Sequence, residues 1–319
     1  MLNISSLLPP PTLSPVILLL AAPLFTGIVN KFRARIEARQ GPSIFQPYYD
    51  LKKLMVKEVI LPEQSSWIFR LFPYLILATT VAICFLIPVF FTNSLFADSS
   101  DLIFIFGLFV LTAFFMVLAS FDAGTSFVGM GASREAFLAS LGEPAVMLIV
   151  FFLSLEFDST NLFAIVSQNT NSLEFLYHPS SFFVVIAFLI VLLAEAKRFP
   201  VDNPSTHLEL TMIHEALLLE YSGKYLAMLE YASMLKFTIL VSLFFSLFFP
   251  WGIAEEFSLE NFSVSVLAWA LKMLLFAAMI AIYEKSTAKL RLFKVPELLS
   301  FAMVLSIIAI FAHYYIQLW

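Results

Sequence analysis

Eight apolar stretches of this chain are candidates to cross a lipid bilayer, and this limits its fold more than any other feature. A helix needs about 20 mostly apolar residues to span the hydrocarbon core. The stretches lie near residues 13–30, 71–91, 102–120, 136–155, 181–196, 231–249, 262–283 and 296–316. The fifth is short, and Glu195 intrudes at its end. Backbone groups in lipid must bond within their own segment, so such stretches are helices. The sequence therefore predicts an all-α integral membrane protein with eight transmembrane helices. The composition is 61% hydrophobic with a mean hydropathy of +0.92, and it leaves no room for a separate soluble domain. One polytopic membrane domain over 1–319 is expected, with no long linker and no clear internal repeat.

The basic residues divide the connections into two kinds. Of the 18 Lys and Arg residues, 16 fall in or beside the first, third, fifth and seventh connections. The other two, Lys236 and Lys272, lie within spans six and seven. The second, fourth and sixth connections carry acids instead, among them Asp98, Asp101, Glu156, Asp158 and Glu174, then Glu255, Glu256 and Glu260. Cytoplasmic loops concentrate Lys and Arg. The pattern predicts cytoplasmic loops at 31–70 and 197–230, with both termini outside. Residues 1–30 hold no Lys or Arg, unlike the charged start of a secretory signal.

Cofactor chemistry within the chain is poorly supported. The single Cys84 cannot ligate an iron–sulfur cluster, which takes about four ligands. GMG at 129–131 lacks the rest of a dinucleotide fingerprint. His207 and His214, seven residues apart, do not have a usual metal spacing. No metal site, no catalytic residue and no nucleic-acid partner are expected. Any electron carriers belong to partner subunits.

Three charged segments remain. NKFRARIEARQGPSIFQPYYDLKKLMVKE (30–58) is broken at Gly41-Pro42 and then becomes amphipathic from Ile44 to Glu58. Ile44, Tyr48, Leu51, Met55 and Val59 would share one face. This reads as an interfacial helix beside the Arg33, Arg35 and Arg39 cluster, either anchoring to lipid or receiving a cytosolic partner. Span four places Glu135 near the cytoplasmic face and Glu143 about two turns deeper, some 80° apart on the helix. An intramembrane acid is a functional candidate by default, and pairing with Lys236 or Lys272 is the structural alternative. The 195–223 loop holds Glu195, Arg198, Asp202, Glu209, Glu215 and Glu220. Glu209 and Glu220 would share a helical face, as would His207 and His214. The apolar run Ala216–Leu219 suggests that this loop is partly buried.

These segments resemble the membrane subunit family shared by complex I and the energy-converting nickel–iron hydrogenases. The carrying motifs are RARIEARQGPSIFQPYYDLKKL (33–54), GASREAFLASLGEP (131–144), RFPVDNPSTHLELTMIHEALLLEYSG (198–223) and YEKSTAKLRLF (283–293). The chain looks nearer to the hydrogenase-4 and formate-hydrogenlyase branch. Complex I members usually carry a Gly-, Pro- and Arg-rich insertion that is missing between Pro42 and Phe45, and a Glu-x-Glu run where Ser205-Thr206-His207 stands here. The resemblance implies the fold of the corresponding complex I membrane protein. It implies a membrane anchor and coupling subunit, inactive by itself, in the cytoplasmic membrane of a prokaryote. It implies a path for protons or sodium through Glu143, Glu195, Asp202, Glu209 and Glu220, and the residues themselves add Glu135, Glu215, Lys236 and Lys272 as candidates for that path. Arg33, Arg35, Arg39, Arg198 and Tyr221 would serve docking or line the cavity. Cytosolic large and small subunits would hold the nickel–iron centre and iron–sulfur clusters, and antiporter-like subunits would complete the membrane arm. A quinone-chamber subunit of a complex I-like dehydrogenase and an autonomous secondary transporter are the rival readings.

Overall fold

The computed structural model describes residues 13–92, 94, 96–172, 174–202, 213–254, 258–287, 290 and 294–317. The described elements are helical: α1 (Leu13–Ile36), α2 (Gln46–Val56), α3 (Trp67–Leu86), α4 (Leu102–Asp122), α5 (Ser126–Phe157), α6 (Leu162–Ser172), α7 (Pro179–Glu195), α8 (His214–Leu218), α9 (Gly223–Phe248), α10 (Leu259–Ser286) and α11 (Val295–Gln317). Seven of them, α1, α3, α4, α5, α9, α10 and α11, are long and apolar enough to cross a membrane. The helix over the fifth apolar stretch, α7, has 17 residues and falls short of that length. At 1.5 Å per residue it measures about 25 Å, slightly less than the hydrocarbon core.

Helix ends gather at two opposite poles. At one, Asp122 at the end of α4 accepts hydrogen bonds from Ser66 and Phe69 N–H at the start of α3 (2.9 and 3.2 Å). Arg33 near the end of α1 faces Glu284 near the end of α10 at 3.7 Å. At the other pole, Phe91 bridges Ala254, and Asp101 bridges Asn161. Successive long helices therefore run in alternating directions. α9 lies at the centre: it packs on α1, α2, α3, α7 and α10, and most of its residues are buried.

Span two ends earlier than expected. Helix α3 stops at Leu86, and Ile87 turns extended (φ −104°, ψ 126°) ahead of Pro88. Proline disfavours helical backbone at the preceding residue. The residues from Ile87 to Phe91 are buried outside any helix, and Ala254 donates to the Phe90 carbonyl (2.9 Å). The two basic connections also contain more helix than the loops 31–70 and 197–230 anticipated. α1 runs on to Ile36, α3 begins at Trp67 and α9 begins at Gly223.

Two prolines inside helices free a carbonyl each, and a tyrosine takes up each one. A helical proline removes the bond to the carbonyl four residues earlier. Pro23 frees Leu19, whose oxygen accepts from Tyr231 of α9 at 2.8 Å. Pro73 frees Phe69, whose oxygen accepts from Tyr221 at 3.2 Å. The Tyr221 ring also stacks on Phe69, centroids 4.0 Å apart.

The amphipathic helix α2 packs on α1 and α9. Its inward residues are Pro47, Tyr48, Leu51 and Leu54, and Tyr48 donates to the Leu20 carbonyl. Ile44 and Met55, expected on this face, are exposed. The helix starts at Gln46, after Ile44, and its register turns Leu54 inward in place of Met55. Gly27 of α1 makes the close approach of this segment feasible, because a Cβ there would collide with the Ile44 carbonyl oxygen.

Candidate functional site

Lysine–glutamate pairs form the centre of the site. Lys236 of α9 lies 2.7 Å from Glu195, the last residue of α7. Lys197, two residues further on, lies 2.8 Å from Glu135 of α5. The backbone makes this second pair possible. Lys197 takes a left-handed conformation (φ 51°) at the end of α7, which turns the chain. His214, at the start of α8, is 3.5 Å from Lys197 through Nδ1. Its buried imidazole, with Lys197 and then Lys236 nearby, is held well below the ordinary 6.5 and is neutral at neutral pH. Asp202 joins the two described ends of the charged loop by accepting from Ile213 and His214 N–H at 3.2 and 3.0 Å.

Cavities border these groups. The lining of one includes Thr80, Thr112, Glu135, Glu195, Lys197, His214 and Lys236. A second, between α4 and α5, holds Glu143 and Glu195 among Phe106, Phe109, Val146 and Met147. A third, of about 200 Å³, borders Thr26, Asn30, Lys197, Arg198, Asp202, His214, Glu215 and Glu230. It has room for several waters. Glu195 or Lys197 lines each of the three.

The structure sorts the expected residues. Glu135, Glu143, Glu195, Asp202, Glu215 and Lys236 come together around the cavities. Glu220 is half-buried in the turn after α8 and lines none of these three. Glu209 and His207 lie outside the described residues. Lys272 is elsewhere: from α10 it donates to the Phe249 carbonyl (2.6 Å) and to that of Trp251, beyond the end of α9. The structural alternative for Glu143 therefore does not hold, since Lys236 is turned to Glu195 and Lys272 to carbonyls. Among the described residues, no three His, Cys, Asp or Glu side chains gather as metal ligands would.

The docking set divides as well. Arg35 and Arg39 are exposed, and Arg39 pairs with Glu37 at 3.6 Å. Arg198 is instead buried, 3.5 Å from Glu284 and stacked over Phe237 at 4.4 Å. Burial pulls its guanidinium below the ordinary value, and Glu284 opposes that shift. Arg33 faces the same Glu284. Tyr221 is buried in packing against α3, which leaves it no docking surface.

Sequence reasoning missed Glu230 and Glu284. Glu230 stands within the apolar run of α9 and meets the same criterion that singled out Glu143. Glu284 is buried near the end of α10, inside the motif YEKSTAKLRLF.

Fold and site together define a multi-pass helical membrane protein that keeps an acid–base cluster inside its helix bundle. The chain belongs to the NADH dehydrogenase family, whose family model matches residues 12–314. It is 36% identical over 274 residues to hydrogenase-4 component C of Escherichia coli (strain K12), covering 86% of this chain and 85% of the relative. It is 31% identical over 294 residues to formate hydrogenlyase subunit 4 of the same organism, covering 90% and 92%. Among solved structures, a chain of the archaeal membrane-bound sulfane sulfur reductase, a respiratory membrane complex, superposes with a TM-score of 0.78 over 94% of this chain and 98% of that one. Identity there is 18%, so this likeness concerns the fold alone.

Proposed function

We propose that this chain is the membrane anchor and coupling subunit of a hydrogenase-4 or formate-hydrogenlyase-like respiratory complex. It would link redox chemistry in cytosolic partners to ion movement in antiporter-like membrane partners. The observation that carries this reading is the buried pair of lysine–glutamate bridges. Charged groups at membrane depth are costly and mark ion or proton pathways. Here they lie between a charged loop, with its roughly 200 Å³ cavity, and Glu143 in α5.

In this reading the chain forms one membrane domain with eight crossings. The short α7 makes the fifth, and the alternating helix directions support it. Both termini lie outside the cytoplasm, and the lysine-rich connections lie inside. The chain itself would hold no metal, leaving the nickel–iron centre and iron–sulfur clusters to cytosolic large and small subunits.

Within the site, Lys236 pairs with Glu195 and Lys197 with Glu135. Neutral His214 lies beside Lys197 and bridges that pair to α8. Glu143, set within α5 among phenylalanine and aliphatic side chains, is the group assigned to carry a proton, since an acid inside a span ordinarily marks such a path.

Purification of the tagged chain from native membranes tests the assignment. Hydrogenase-like subunits with nickel and iron–sulfur should co-purify, and the isolate should exchange electrons between hydrogen and a soluble dye. Recovery of the chain alone, active in transport by itself in liposomes, would overturn it.

A further inference from the structure

We propose that Ser222 is a positioning residue that ties the segment after α2 to the lysine–glutamate cluster. This rests on the coupling role proposed above.

Ser222 occupies the N-cap position of α9, with extended backbone at φ −139° and ψ 164°. A serine there ordinarily accepts a hydrogen bond from the first turn of its own helix. This one makes no such bond. Its hydroxyl reaches across the chain, accepting from Ile60 N–H at 2.7 Å and donating to the Ile60 carbonyl at 2.7 Å. Both hydrogen-bonding groups of one residue, 162 positions away, are thus held by a single side chain. The next residue adds close contact. A Cβ at Gly223 would meet the carbonyl oxygens of Lys57 and Glu58 at 2.8 and 2.9 Å.

From Ser222 the link runs inward through packed elements. Tyr221 is stacked on Phe69 and bonded to its carbonyl. The preceding α8 is a single turn whose Ala216, Leu217 and Leu218 are buried. It rests on α5 at Gly131, where a Cβ would lie 2.8 Å from that of Ala216. At the far, N-terminal end of α8, His214 faces Lys197, and Lys197 pairs with Glu135. Residues 57–60 follow α2, and Tyr49 and Val56 of that helix are exposed, as are Phe45 just before it and Ile60 after it. A displacement of residues 57–60 would therefore move Ser222, α8 and His214 as one body. Packed side chains shift between discrete arrangements, and such chains carry coupling between sites.

The test compares Ser222→Ala with Ser222→Thr in the intact complex. Threonine keeps the hydroxyl and suits the extended backbone. Ser222→Ala should assemble and keep dye-linked turnover, while ions moved per electron fall about threefold or more. Ser222→Thr should restore most of that ratio. A wild-type ratio in Ser222→Ala would overturn the proposal, and so would equal impairment of both variants. Failure of Ser222→Ala to assemble would also overturn it, by making the contact purely structural. The underlying reading stands or falls separately, on Glu143→Gln. Normal pumping in that variant removes the reading whatever Ser222 does. Lost pumping there, with Ser222→Ala unaffected, removes only this inference.

Discussion

Lys236 donates to Glu195 across 2.7 Å and so joins the middle of α9 to the last residue of α7. Both side chains are largely buried. Removing one partner of such a pair leaves a buried charge and costs about 3–5 kcal/mol, whereas neutralising both costs far less. Lys236→Met should lower the unfolding temperature of the detergent-purified complex, and Glu195→Gln on that background should restore part of it. Equal melting of Lys236→Met and wild type would show that the bridge contributes nothing.

Tyrosines that fill proline-freed carbonyls should count in stability. Tyr231→Phe keeps the ring and removes only the hydroxyl that serves the Leu19 oxygen. A buried acceptor left unsatisfied costs about 1–3 kcal/mol. A measurable drop in thermal stability is expected for this variant and for Tyr221→Phe, with no change in redox turnover. Unchanged melting in both would mean that the helices relax around their prolines.

The neutral state of His214 implies a pH dependence. Its folded-state pKa lies below the ordinary 6.5. As pH falls below that value the unfolded segment takes up a proton that the folded one refuses. The stability contribution is therefore present above 6.5 and is lost as pH falls. Between about pH 7.5 and pH 5.5 the intrinsic hydrogen-exchange rate itself slows, and exchange over residues 213–222 should slow by less than that, an excess that reports local opening. His214→Gln should flatten that excess. An excess that survives the substitution would place the titration elsewhere.

The exposed cations at the end of α1 should govern assembly. Arg35 and Arg39 point away from the bundle, unlike Arg33 and Arg198. Reversing both to Glu should release the cytosolic subunits while the chain remains in the membrane. Recovery of the complete complex from that double variant would assign docking to other groups.

Helix positions were legible in the sequence because apolar length alone defines a span, and α4, α7 and α11 begin and end within two residues of expectation. Pro88 carried the signal for the early end of α3, but the apolar run continues through Phe91 and hides the break. Partner choice was not legible. Nothing in the spacing of Glu143, Lys236 and Lys272 shows that Lys236 turns to Glu195, because that depends on how α7 lies against α9. Arg198 looked like a surface cation because its buried partner, Glu284, is 86 residues away in another helix. Glu230 could have been found by asking of every apolar run which acids it contains.

Glu143→Gln in the purified, reconstituted complex tests the central claim most directly. The amide keeps the volume and hydrogen bonding of the acid, and no lysine is left unpaired, since Lys236 is held by Glu195. The complex should assemble, and electron transfer to a soluble dye should continue at the wild-type rate. Ion translocation per electron should fall about tenfold or more, as general acid–base groups contribute roughly 10²–10⁴. Translocation at the wild-type ratio would contradict the account and leave the carboxylate in α5 without a role in coupling.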